Sequence, residues 1–185
     1  VDDVQQVALP HDDIMQRFNI DVRGLFPTTS NNITTPLEDT GEYRRYRDEW
    51  GLLHEMPKEG GLYFSLVKSP IDTPTTTVEA IKEHEWPVGA DAARIEGLKQ
   101  QARDYRAEGY PVVLKGVAAG LCEVASRIRG MENFLCDLMT DEAVTCALVD
   151  RILEIKLDFW EMALAELGQF VDIVLEADDY GTQAS

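Results

Sequence analysis

Tyr110-Pro111-Val112-Val113-Leu114-Lys115-Gly116 and its later counterpart Val171-Asp172-Ile173-Val174-Leu175-Glu176 decide the fold class. Each is a short, continuous apolar run rich in β-branched residues, the pattern of a strand covered on both faces. The chain between them is helical. Segments 121–129 and 132–139 are separated by Gly130, and Asp141 caps a long amphipathic helix over 142–167. Its Val144, Leu148, Ile152, Ile155, Phe159 and Met162 make one apolar stripe, and Gly168 closes it. Strand, helices and strand with no hairpin-length turn predict a parallel β–α–β crossover of right-handed sense.

Upstream, residues 91–108 read as one helix stopped by Gly109, and Thr77 caps a shorter helix that Pro87 ends. Residues 43–67 read as antiparallel strands: 49–54 and 61–67 flank the turn-forming Pro57-Lys58-Glu59-Gly60. Residues 27–40 form a long exposed loop, 19–24 a short strand, and His11-Asp12-Asp13 opens a first helix carrying Ile14, Met15 and Phe18. The reading is one domain over 1–185, with the helix, long loop and β-hairpin in 1–89 and the β/α core in 90–185. Two parallel strands cannot cover both of their own faces, and a (β/α)8 barrel takes about 250 residues. The expectation is therefore α/β: a partial TIM barrel with an N-terminal β-hairpin insertion. The chain opens on Val1 with no targeting pattern, which reads as a fragment or processed form.

Composition narrows the function. Among 185 residues, 34 Asp and Glu stand against 17 Lys and Arg, for a net charge of −17. A pI near 4.4 excludes nucleic-acid binding through a basic face, and no apolar run reaches the ~18 residues of a membrane span. Cys122, Cys136 and Cys146 lack C-x-x-C spacing and lie among apolar neighbours, so they read as buried free thiols in a cytoplasmic protein. His11, His54 and His84 share no metal-ligand spacing and read as surface residues. The basic cluster Arg44-Arg45-Tyr46-Arg47 reads as a solvated face, and no nucleotide-loop or nucleophile-elbow motif is present.

In parallel α/β folds the reactive groups gather in loops at the C-terminal ends of strands. Two such loops can be named. The first, 116–123, carries glycines such as Gly116 that let backbone approach a ligand, and a Glu123 that either points into the mouth or offsets a helix dipole. The second is Asp178-Asp179-Tyr180-Gly181-Thr182-Gln183. Adjacent carboxylates at the end of a buried strand repel each other, so one of the two is expected to have a raised pKa. The alternative is a helix cap beside a solvated neighbour.

Taken in order, Ile20-Asp21-Val22-Arg23, Asp48-Glu49-Trp50-Gly51, Ser69-Pro70-Ile71, Ile128-Arg129-Gly130-Met131-Glu132-Asn133, Val171-Asp172-Ile173-Val174 and Asp178-Asp179-Tyr180-Gly181-Thr182-Gln183 make the chain resemble the uroporphyrinogen decarboxylase superfamily, and within it the corrinoid-dependent methyltransferase branch. The resemblance implies a (β/α)8 barrel of which this chain is the N-terminal and central portion, inactive by itself. It also implies methyl transfer between a corrinoid protein and an acceptor, with zinc bound by His and Cys ligands beyond Ser185. On that reading the chain alone binds no cofactor or metal. Asp178 and Asp179 are its catalytic candidates, orienting substrate or corrinoid-protein groups. Tyr180, Gly181, Gln183, Gly116 and Glu123 line the substrate site, with Gln183 donating a hydrogen bond. The partners implied are a small-molecule, tetrapyrrole or corrinoid ligand, a corrinoid protein and a second copy in a homodimer.

The alternative within the resemblance is tetrapyrrole decarboxylation. The family's N-terminal Arg-rich motif is absent here, its loop Ser falls on Asp179, its Tyr falls near Ser126, and its His would lie beyond Ser185. An Asp facing a polyanionic substrate repels it. A third expectation is a barrel without catalysis, serving as a scaffold for a corrinoid-type partner.

Overall fold

The computed structural model describes residues 10–30 and 37–181. Its parallel sheet is built from β1 (Arg23–Leu25), β6 (Val112–Lys115) and β7 (Ile173–Leu175), in the order β1-β6-β7. The register sets Leu25 beside Leu114 and Leu114 beside Val174. Sequence reading supplied β6 and β7. The third parallel strand is the short 19–24 segment, shifted to Arg23–Leu25 and hydrogen-bonded along β6.

A second, antiparallel sheet holds β2 (Glu38–Asp39), β3 (Tyr43–Arg47), β4 (Leu53–Pro57) and β5 (Ser65–Lys68), in that order. The expected hairpin is displaced. Trp50-Gly51 lies in the β3–β4 turn instead of a strand, because the Asp48 carboxylate accepts the Trp50 and Leu52 N–H groups and Gly51 takes a left-handed φ of 82°. Arg45 of the basic cluster pairs with Glu55 across this sheet, and Arg47 donates to the Gly51 carbonyl.

The helices are α1 (Asp12–Arg17), α2 (Val78–Glu83), α3 (Leu98–Ala107), α4 (Leu121–Arg129), α5 (Met131–Thr140) and α6 (Glu142–Leu167). The expected single helix over 91–108 is broken in two. A 3₁₀ turn at Ala92–Ile95, capped by Asp91, is separated from α3 by Gly97 at φ 76°. Asp141 does cap α6, its side chain accepting from the Val144 N–H. At 26 residues, α6 is about 39 Å long and serves two cores. Its C-terminal half sets Phe159, Ala163 and Leu167 against Leu25, Val112 and Leu114 of the parallel sheet. Its N-terminal half sets Val144, Leu148 and Ile152 against Trp50, Ile81 and Ile128. Lys156, between the halves, reaches the carbonyls just past the end of β6. Residues 142–155 therefore rise beyond the C-terminal ends of the strands, where the second core forms a lobe over the mouth.

Among the described residues the parallel sheet has three strands, and no barrel is closed. The expectation that β7 is covered on both faces is corrected: Ile173, Val174 and Leu175 are each about half exposed, because β7 is the edge of its sheet. The cysteines are free but not buried, since Cys136 and Cys146 sit on outward helix faces and Cys122 is partly exposed. His54 is corrected from surface to interior. It is buried, bonded to Asp48 at 2.9 Å and stacked on Tyr46. Among the described residues no helix is long and apolar enough to cross a membrane.

Candidate functional site

Three loops leave the C-terminal ends of the parallel strands, and side chains from elsewhere hold each in place. After β1, Thr28 donates through its N–H to the Arg94 carbonyl at 2.9 Å, and its own carbonyl accepts from Arg94 Nη1. Arg94 is almost fully buried and forms a two-pronged pair with Glu49, Nη2 to Oε2 at 2.6 Å and Nη1 to Oε1 at 3.1 Å. The Ser30 N–H also donates to Glu49, at 2.7 Å. This flank is closed.

The loop after β6, residues 116–120, is held by Lys156. Its ammonium donates to the carbonyls of Val117 at 2.8 Å and Ala119 at 2.9 Å, and pairs with Glu176 at 2.9 Å. These bonds hold Ala118 between them in the left-handed region at φ 57°, which for a residue with a Cβ costs about 1–3 kcal/mol. Glu176 also accepts from the Trp160 indole N–H at 2.7 Å. Sequence reading did not single out Lys156, Trp160 or Glu176. The visible signal was a Lys at the position between Ile155 and Phe159, inside the apolar stripe of α6.

The loop after β7 turns back onto α4. Asp178 accepts the Cys122 N–H at 2.7 Å, the Glu123 N–H at 2.9 Å and the Asp179 N–H at 3.0 Å, so it caps α4 from another segment. Partial burial pushes its carboxyl up. The Cys122 and Glu123 N–H groups, the Tyr180 hydroxyl and the Asp179 N–H together outweigh that and hold it below the usual carboxylate range. The raised carboxyl expected of the Asp178–Asp179 pair is therefore not found at Asp178. Donating to Asp178, together with slight burial, raises the Tyr180 hydroxyl. Burial, then the charges of Asp178, Asp179 and Glu123, push the Cys122 thiol up, so it stays protonated at neutral pH.

The glycines have a different task from the one expected. A Cβ at Gly116 would run into the Glu176 carboxylate, and one at Gly120 into Cβ and Cγ of Asp178. What these glycines admit is the protein's own two carboxylates. The Glu123 side chain pairs with Arg127 one turn along α4. Asp179 is exposed and contributes its N–H, while Gly181 is exposed with nothing close around it. Gln183 lies outside the described residues.

Lys156, Glu176, Asp178 and Tyr180 border an open groove of about 430 Å³, within the range of small-molecule sites. Leu121, Leu153, Leu157 and Trp160 form its apolar walls. No family model, no curated protein and no solved structure matches this chain. The groove must be read from its own chemistry.

That chemistry does not include a metal set. Among the described residues, no three His, Cys, Asp or Glu side chains converge in a way that would hold a metal ion. His84 is likewise occupied. It packs edge-on against Trp86, and its Nε2 lies 3.2 Å from the Trp50 carbonyl, with burial lowering its pKa.

Proposed function

We propose that the protein is a methyltransferase of the uroporphyrinogen decarboxylase type, moving a methyl group between a corrinoid protein and an acceptor in a cytoplasmic setting. Its groove beside β7 holds the small-molecule side of the exchange. The observation that carries this reading is the groove's position and lining: it opens past the C-terminal ends of β6 and β7 and is walled by Leu121, Leu153, Leu157, Trp160 and Tyr180. An apolar wall at that end suits a methylated or methyl-accepting ligand, which gains little from hydrogen bonds at the reacting carbon. The corrinoid enters as the cargo of its own protein, carrying the methyl group.

Within the chain, Lys156 and Asp178 are positioning residues. Lys156 holds the β6 loop, and Asp178 fixes the start of α4 and the Tyr180 hydroxyl. Asp179, exposed beside them, is free to orient groups of the arriving protein. A tetrapyrrole bearing several carboxylates would meet Glu176, Asp178 and Asp179 at this mouth, and like charges at close range repel. Decarboxylation therefore ranks second, and a scaffold without catalysis third.

The test is to mix the full-length protein that carries this chain with methylcobalamin and a thiol and follow the methyl-corrinoid absorbance. Demethylation that depends on the thiol and falls at least tenfold in Tyr180→Ala is the expected result. Release of CO2 from uroporphyrinogen without demethylation would transfer the assignment to the decarboxylase. Absence of both reactions would leave the scaffold.

A further inference from the structure

Helix α5 is oriented against the usual rule. Its one buried side chain is Phe134. Its other large apolar side chains face out: Leu138 is 48% exposed, Leu135 55%, Met131 67% and Met139 85%. With 3.6 residues per turn, these four fall within about 100° of arc, so they make one continuous stripe about two turns long. The side turned inward is held by polar bonds as well as by Phe134. Asp137 accepts from Arg129 Nε at 2.7 Å, and Asn133 Nδ2 donates to Asp72 at 2.7 Å. A single exposed leucine is ordinary, but four large side chains in one stripe, on a helix with one buried anchor, mark a contact surface.

Backbone and charge define what fits that surface. The mid-helix N–H and C=O groups are used within α5, so a partner gains no main-chain pairing here and must arrive with its own backbone satisfied. A helix does so, and two crossing helices interlock their side chains over about two turns. Residues 130–150 carry Glu132, Asp137, Asp141, Glu142 and Asp150, and no Lys, Arg or His. The arginines at the end of α4 are already engaged: Arg129 is buried on Asp137, and Arg127 is paired with Glu123. Glu132 borders the stripe beside Met131, Asp141 and Glu142 follow Met139 in the chain, and all three are exposed. Two copies meeting here would crowd these carboxylates together, on chains that each carry a charge of −17. Lys and Arg along the edges of an apolar helix face complement them instead. The flexible thioethers of Met131 and Met139 adapt to the side chains that such a helix brings.

We infer that the outward face of α5 docks an amphipathic helix of a partner protein, one whose apolar stripe is flanked by Lys and Arg. The inference is independent of the groove and of methyl transfer.

The experiment uses the full-length protein that carries this chain. It follows the fluorescence anisotropy of a labelled helix-forming peptide of Leu and Lys, about 18 residues long, with its leucines on one face. A Leu/Glu peptide of the same pattern and a Leu/Lys peptide of scrambled order are the comparisons. The patterned Leu/Lys peptide is expected to bind at least tenfold more tightly than either. Leu135→Asp, at an exposed position, adds a negative charge that a merely electrostatic contact would welcome. Because it interrupts the stripe, it should weaken the patterned peptide at least tenfold. Glu132→Lys should weaken it several-fold, with the loss shrinking as salt is raised. Equal binding of the patterned and scrambled peptides, undiminished binding by Leu135→Asp, or no binding at all overturns the inference. Self-association in sedimentation that Leu135→Asp abolishes would assign the face to a second copy. Cosedimentation with phosphatidylcholine vesicles that the same variant abolishes would assign it to a membrane. Either result overturns the basic helix.

Discussion

Arg94 and Lys156 perform the same operation on opposite sides of β6. Each is a buried cation that reaches out of a helical segment to hold carbonyl oxygens just past a strand end, and each is paired with a carboxylate from a third segment. Their surroundings differ. The Glu49 partner of Arg94 is itself buried and bonded by Ser30 N–H, so nothing from outside reaches that pair. The Glu176 partner of Lys156 is about one-third exposed and faces the groove. The same latch thus makes a closed joint on the β1 side and the wall of an open site on the β7 side. What separates structure from site is the exposure of the carboxylate, not the identity of the cation.

The comparison can be broken most forcefully on the closed side. Glu49→Ala leaves the Arg94 guanidinium buried without its carboxylate and should cost about 3–5 kcal/mol of stability, read from chemical denaturation. A loss under 1 kcal/mol would mean that water replaces the carboxylate and the flank is not closed. On the open side, Lys156→Met keeps the side-chain volume but strips two carbonyls of their donor. A loss of about 1–3 kcal/mol is expected, together with weakened binding in the groove. A loss equal to that of Glu49→Ala would erase the distinction between the two flanks.

Asp178 sharpens the comparison through pH. Its folded pKa is lowered, so the stability it contributes is fully present above its unfolded value of about 3.9 and is lost as pH falls through the folded value. Asp178→Asn should be less stable than the parent by about 1 kcal/mol at pH 7, with the gap closing below about pH 4 in denaturation curves. A gap that persists unchanged at pH 2 would show that the carboxylate's charge is irrelevant to the cap. The smallest effect has the opposite sign. Ala118→Gly relieves the left-handed strain that Lys156 maintains, and after the added flexibility of the unfolded chain it should stabilise by about 0.5 kcal/mol. A destabilised variant would show that the loop is not strained.

The same two flanks show what was legible in the sequence. Helix α6, its Asp141 cap and the strands at 112–115 and 173–175 could be read because their signals are local: periodicity, a capping side chain, a β-branched run. The β1 strand could not, since three residues with one glycine carry almost no pattern and their place is set by pairing with Val112–Leu114. The break at Gly97 was hidden by continuous helix-forming residues on either side of it. In the site, residues 178–180 stood out by their position after a strand, but the contacts their side chains make were not legible. Gly116 and Gly120 read as room for a ligand, whereas the atoms they admit are those of Glu176 and Asp178, about sixty residues away. Lys156 was passed over because a single lysine in an apolar stripe has meaning only once the carbonyls above it are in place.

One uninterrupted helix gives Leu148 to the core over the mouth and Phe159 to the core against the sheet. Neither core can come apart while the other stays whole without that helix fraying at its centre, where Lys156 holds the loop. The consequence is thermodynamic coupling along the molecule's length: calorimetry should show one unfolding transition, and the amides of Leu148 and Phe159 should exchange with solvent at matched free energies, as parts of a single cooperative unit.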